Sequence, residues 1–169
     1  VGEENAGWKL ITSQLNRERL SLVNFGPTAE MFNNVVRWAQ QTDLPEGGKI
    51  IDQAWVQINL AKVRAGVEAL KLVCYKQAWA MTEGQLDMAD ASAAKVYGSE
   101  FFIEVYRLLG EVIGQASLIN RRTAGADPIA SRIERLYRTA SIITFGGGTN
   151  EIQRDIISAA GLWMPRASR

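Results

Sequence analysis

The sequence predicts an all-α protein, an up-down bundle of long antiparallel helices. Apolar residues recur at steps of three and four over long stretches, and strand-like alternation is scarce. Clusters of loop formers, at 42–48 and 121–128, punctuate those stretches at intervals suited to helix reversals. At 169 residues with 47% apolar content, the chain is long enough to bury a sizeable core as one domain, 1–169.

The first helical segment is expected over 8–41. Gly26-Pro27 lies inside it, and the proline removes a backbone donor, so a kink or brief break is expected there. A loop follows at 42–48. The second helix is expected over 50–82 with the stripe Val56, Leu60, Val63, Val67, Leu70 and Cys74, and Gly84 ends it. The third is expected over 87–119, with Phe101, Val105, Leu108 and Val112 on one face. After a polar turn, a shorter helix covers 129–143. Gly146-Gly147-Gly148 breaks it, a last helix covers 150–160, and Pro165 opens a frayed tail. Helices of thirty-odd residues would be about 45–50 Å long.

Composition narrows the chemistry. There is no histidine and one cysteine, Cys74, so histidine-dependent triads, internal disulfides and Cys/His metal sites are excluded. Carboxylates remain as the acid/base groups. A net charge of +1 argues against a nucleic-acid-coating surface. No apolar run approaches a membrane span. The lone cysteine and the start, Val1-Gly2-Glu3-Glu4-Asn5, without a signal-like pattern, lead us to expect a cytoplasmic protein. The missing initiator Met leads us to expect the C-terminal piece of a longer subunit.

Two local features stand out. Trp8, Ile11, Leu15, Leu22 and Phe25 form an apolar series whose empty slot is position 18, where Glu18 stands. A carboxylate buried there would have a raised pKa and suit a general base acting on a carbon acid. The competing reading puts Glu18 at the rim of the stripe, paired with an arginine. The second feature is Phe145-Gly146-Gly147-Gly148-Thr149-Asn150-Glu151-Ile152-Gln153. Its glycines permit close backbone approach, and Asn150 with Gln153 reads as an N-cap and capping box, where free N–H groups favour anions. It is neither a Walker loop nor a dinucleotide fingerprint, and a plain flexible turn is the competing reading. The tryptophans at 8, 38, 55, 79 and 163 read as core or interface fillers, and Arg121, Arg122, Arg132, Arg135 and Arg138 as solvated faces.

Taken together, the order and separation of these features resemble the C-terminal helical domain of the acyl-CoA dehydrogenase family. The opening Val1 to Trp8, Asn16-Arg17-Glu18-Arg19-Leu20, Ile133-Glu134-Arg135-Leu136-Tyr137-Arg138, the glycine segment and the tail Ala160 to Arg166 carry the likeness. The resemblance implies FAD as cofactor and an acyl-CoA substrate dehydrogenated to a trans-2-enoyl-CoA. It also implies electron-transfer flavoprotein as acceptor, with an acyl-CoA oxidase as the sibling alternative. Most members carry the catalytic glutamate just before the late Gly-Thr, where this chain has Gly147. A minority carry it on the first long helix, and Glu18 falls on that position. By the same carry-over the Gly147 N–H binds the thioester carbonyl, and Arg19 holds CoA or orients the loop. Gln53, Thr149 and Glu151 match flavin-binding positions.

Two departures accompany the likeness. The segment 42–48 lacks the family's Arg and Phe, and its Gln-x-x-Gly-Gly-x-Gly turn reads here Glu111-Val112-Ile113-Gly114-Gln115-Ala116-Ser117. Both are elements that one subunit lends to its neighbour's flavin. They suggest a hetero-oligomer with a paralogous subunit, similar to actinobacterial enzymes acting on bulky steroid side chains. The alternative is a non-catalytic scaffold subunit of such a heteromer.

Overall fold

The computed structural model describes residues 2–165. Val1 and residues 166–169 lie outside the described residues, and with them the Val1 and Arg166 ends of the resemblance and the tail beyond Pro165. The described chain is all-α, in the order α1 (Gly7–Ser21), α2 (Gly26–Gln41), α3 (Ala54–Thr82), α4 (Met88–Ile113), α5 (Pro128–Ala140) and α6 (Asn150–Ile156). Single 3₁₀ turns lead into α3 and follow α4 and α5, and a π turn follows α6.

The boundaries have local causes. Gly26-Pro27 breaks the first segment outright: α1 stops at Ser21, and Pro27 occupies the first turn of α2, where no N–H is required. Gly84 (φ +67°) closes α3 in a Schellman arrangement, its N–H reaching Met81 O at 3.2 Å and Gln85 N–H reaching Ala80 O at 2.8 Å. Asp87 caps α4 by accepting from Ala89 N–H at 2.8 Å. Gly114, at φ +76°, ends α4 earlier than its apolar pattern suggests, leaving 114–118 as a 3₁₀ turn. Asp127 caps α5 by accepting from Ala130 N–H, with Pro128 in its first turn.

Among the described residues, 2–24, 70–99 and 142–165 form one compact unit, and 25–69 with 100–141 a second. In the second, Val56, Leu60, Val63 and Val67 of α3 and Val105, Leu108 and Val112 of α4 are buried, as the stripes predict, while Phe101 is half-buried; Met31 and Val35 of α2 and Leu109 of α4 are buried with them. Gly66 of α3 sits beneath the ring of Phe101 of α4. In the first unit Val23, Leu70, Ala91 and Ala94 are buried, and Gly98 of α4 lets Val23 approach so closely that an added Cβ would stand 2.5 Å from it. Its core is also unusually polar: Arg19, Gln77, Lys95, Ser99, Asn150 and Gln153 are all buried. In either unit the two long helices pair antiparallel, Gln77 bonding to Asp90 in the first and Asn59 to Glu111 in the second.

Of the core or interface roles expected for the tryptophans, the core role is not met: Trp8, Trp55, Trp79 and Trp163 are exposed and Trp38 is half-buried. The buried stripes are built instead from aliphatic residues and alanine, whose smaller volumes allow close helix approach.

Candidate functional site

Helix α1 presents a different face inward from the one its apolar series suggests. Arg19, and Val23 just after the helix, are buried and Leu15, Leu22 and Phe25 of the series are half-buried, whereas Trp8 (78% exposed), Ile11 (41%) and Glu18 are exposed. The expectation of a buried Glu18 is therefore corrected by one residue: the polar group in the seam is Arg19. The reason is a bonding partner. A guanidinium can be buried where acceptors meet it, and Arg19 Nε donates to Gly147 O at 3.0 Å while Nη1 donates to Asn16 Oδ1 at 2.8 Å. Burial pulls the Arg19 pKa below its ordinary value, and the charge of adjacent Glu18 opposes that shift.

The glycine turn is built against this arginine. Gly147 and Gly148 adopt φ +69° and +102°, which disfavours side chains. A Cβ on Gly147 would stand 3.1 Å from Arg19 Cγ, and one on Gly148 would stand 2.6 Å from Gln153 Nε2. Gly147 O accepts a second bond, from Gln153 Nε2 at 3.2 Å. Among the described residues the Gly147 N–H has no hydrogen-bond partner, while those of Gly146 and Gly148 bond to Ile142 O and Phe145 O. The turn thus offers one open amide beside the helix turn that carries Glu18.

The start of α6 corrects a second expectation. Thr149, not Asn150, is the N-cap, its hydroxyl accepting from Ile152 N–H at 3.4 Å. Asn150 is drawn inward, where its Oδ1 accepts from Lys95 Nζ at 2.6 Å and its Nδ2 donates to Ser99 Oγ at 3.0 Å. Gln153 is wholly buried and reaches back to the glycine turn rather than forming a capping box. Glu151 is exposed. Its carboxyl is held below the usual range by its own backbone N–H and by the Thr149 hydroxyl, with the charges of Arg154 and Lys95 adding to the effect.

Lys95 escaped the sequence reading. It is fully buried and donates to Thr144 O and Gly148 O, both at 2.8 Å, as well as to Asn150. Its signal was present: Ala91, Lys95 and Ser99 recur every four residues and all are buried, the same logic that drew notice to position 18.

The structure thus brings Glu18, Arg19, Gly147, Thr149 and Glu151 into one compact unit, while Gln53 belongs to the other. Gln53 follows a 3₁₀ turn and is half-buried, and among the described residues its side-chain amide has no hydrogen-bond partner. The two departing loops are bonded within the chain. Lys49 Nζ donates to Asp43 at 2.6 Å across segment 42–48, and Glu111 pairs with Arg107 and accepts from Asn59. Arg132 pairs with Glu30 and Arg138 with Glu134 at exposed positions, as expected of solvated faces. Arg121, Arg122 and Arg135 border a shallow cavity of about 270 Å³ with Arg138. Among the described residues no helix is long and apolar enough to cross a membrane.

The sequence matches the family described as acyl-CoA dehydrogenase, C-terminal domain, over residues 5–162. It is similar to the acyl-CoA dehydrogenase FadE26 of Mycobacterium tuberculosis, 50% identical over 173 residues that cover 100% of this chain and 43% of that protein. Against a chain in the crystal structure of the ChsE4-ChsE5 complex from Mycobacterium tuberculosis, the TM-score is 0.88 at 50% identity, covering 99% of this chain and 43% of that one. A chain of the Tcur3481-Tcur3483 steroid ACAD gives a TM-score of 0.88 at 41% identity, with 99% and 42% covered. The chain therefore spans less than half the length of the relatives it matches. A family match reaching from 5 to 162 leaves almost none of the described helices outside it, and the chain belongs to the acyl-CoA dehydrogenase family through that family's C-terminal domain.

Proposed function

We propose that residues 1–169 form a single helical-bundle domain, the C-terminal part of a longer subunit, and that the complete assembly dehydrogenates an acyl-CoA thioester to a trans-2-enoyl-CoA. One observation supports the reading most directly. Arg19, the residue after Glu18, holds the carbonyl of Gly147, whose own N–H is open, so the proposed base and the proposed oxyanion donor belong to one bonded assembly. Glu18 takes the proton from the α-carbon. The Gly147 N–H donates to the thioester oxygen as enolate charge develops, and Arg19 keeps that amide in place. Trp8 and Ile11 give the outward face of α1 an apolar flank beside Glu18. Covering that face with the acyl group and the rest of the subunit would exclude water from the carboxylate.

Thr149 and Glu151, around the start of α6, offer donors and acceptors suited to a polyhydroxylated nucleotide cofactor, and Gln53, with its unpartnered amide in the other unit, offers a separate contact for such a group. They would hold FAD, which when bound supplies the hydride acceptor. The absence of Arg and Phe from segment 42–48 and the altered turn Glu111-Val112-Ile113-Gly114-Gln115-Ala116-Ser117 leave those segments poorly equipped to clamp a neighbour's flavin. That favours a hetero-oligomer with a paralogous subunit. Two-component names among the solved relatives agree, and the steroid ACAD points to a bulky acyl group. Electron-transfer flavoprotein is the proposed acceptor.

The test is Glu18→Gln in the full-length assembly, assayed over a panel of saturated acyl-CoA thioesters with an artificial dye acceptor. Loss of kcat by about 10³-fold with flavin retained supports the reading, in the range for removal of a general base. Unchanged turnover removes Glu18 as base and favours a scaffold role for this chain.

A further inference from the structure

We propose that Lys95 is a positioning residue for the Gly147 amide, an inference that rests on the reading of that amide as the thioester's hydrogen-bond donor. Lysine is almost never fully buried without partners, yet Lys95 has no solvent exposure. Its ammonium carries three donor hydrogens, and three uncharged oxygens receive them: Thr144 O and Gly148 O at 2.8 Å and Asn150 Oδ1 at 2.6 Å. The two carbonyls stand on either side of Gly146-Gly147. One ammonium therefore closes residues 144–148 onto a single point and ties that point to the first residue of α6.

The turn needs such a brace. Gly147 and Gly148 are residues with wide conformational freedom, held here at positive φ. Arg19 and Gln153 secure the turn at Gly147 O, and Lys95 secures it at the carbonyls before and after. With three carbonyls anchored, the position of the open Gly147 N–H is set before any substrate arrives, which is the condition for electrostatic stabilisation without reorganisation.

Lys95 also supports folding, since an apolar side chain of similar length would leave Thr144 O, Gly148 O and Asn150 Oδ1 without this donor. What an apolar replacement cannot do is anchor two carbonyls, or place a positive charge beneath the turn where an enolate develops. The field of Lys95 reaches the carboxyl of Glu151, helping to keep it ionised.

The experiment uses the full-length holo assembly and the variants Lys95→Met and Lys95→Arg beside Glu18→Gln. Hydrogen–deuterium exchange is followed over 142–153, with 56–67 of α3 as an internal control. Kinetics use the saturated acyl-CoA panel with the dye acceptor. Lys95→Met is expected to speed exchange at 144–149 only, retain flavin, and lower kcat by about 10- to 100-fold with KM little changed, as for a displaced oxyanion donor. Lys95→Arg, which keeps the charge, is expected to recover part of kcat. Unchanged exchange or unchanged kcat in Lys95→Met overturns the proposal, as does loss of kcat matched by an equal rise in KM. If Lys95→Met does not fold, Lys95→Arg decides alone: slower turnover with faster exchange confined to 144–149 supports the role, and wild-type behaviour in both overturns it. Failure of the underlying functional reading shows separately, as full activity of Glu18→Gln.

Discussion

At Gly148 two costs of a side chain coincide. The residue adopts φ +102°, and an added Cβ would stand 2.6 Å from Gln153 Nε2, the amide that donates to Gly147 O. Gly125 separates the two effects: it sits at φ +77° with nothing within 4 Å of an added Cβ. Gly125→Ala is expected to cost about 1 kcal/mol, the strain of the left-handed region alone. Gly148→Ala is expected to cost about 2–3 kcal/mol, because Gln153 must also move. Denaturant unfolding of the full-length protein measures both, and equal costs would show that the Gln153 contact yields freely. Arg19 shows how far residue-level reading reaches. The spacing of α1 announced a polar residue in its seam and placed it at Glu18. An apolar series names a helix face to within about one residue, or 100°, and α1 carries apolar residues on both flanks of its true inward face. Which flank turns inward was settled by an acceptor for Arg19 that lies 128 residues away in the chain.

Among the helices, Gly66 of α3 leaves room in the second unit for an aromatic ring of α4. An added Cβ on Gly66 would fall 2.2 Å from Phe101 Cε2. Alanine is the better helix former by about 1 kcal/mol, so propensity predicts that Gly66→Ala stabilises. The ring stands in the way and an aromatic side chain cannot yield locally, so a net destabilisation of about 1–3 kcal/mol is expected. The sign of the change in midpoint on thermal unfolding distinguishes the two. Helix limits were legible wherever a proline, a glycine or an aspartate carries them, as at Pro27, Gly84 and Asp127. The cap of α6 was misread because Asn150 is a good capping residue with a stronger competing use, as an acceptor for a buried ammonium.

For the molecule as a whole, the consequence of the two departing segments is a count of cofactors. Subunits whose segments 42–48 and 111–117 lack the flavin-lending residues are expected to bind FAD only where a paralogous partner supplies the clamp. Flavin absorbance against protein in the purified full-length complex is therefore expected to give fewer than one FAD per chain. A pure homo-oligomer with one FAD in every chain would remove the heteromer from the proposal. Gly66 and Gly148 belong to different compact units, so Gly66→Ala and Gly148→Ala probe different parts of the chain.

Short-range pattern was sufficient for the all-α class, the helix breaks, the buried stripe of α3 and the turn at the triple glycine. These depend on spacing, propensity and capping, which act over a few residues and are written along the chain. The inward register of α1, the burial of Asn150 and the place of Lys95 beneath the turn depend on which polar groups find partners once distant segments meet. Lys95 and Gly148 are 53 residues apart, and a buried charge is stable only where its hydrogen-bond acceptors converge in space.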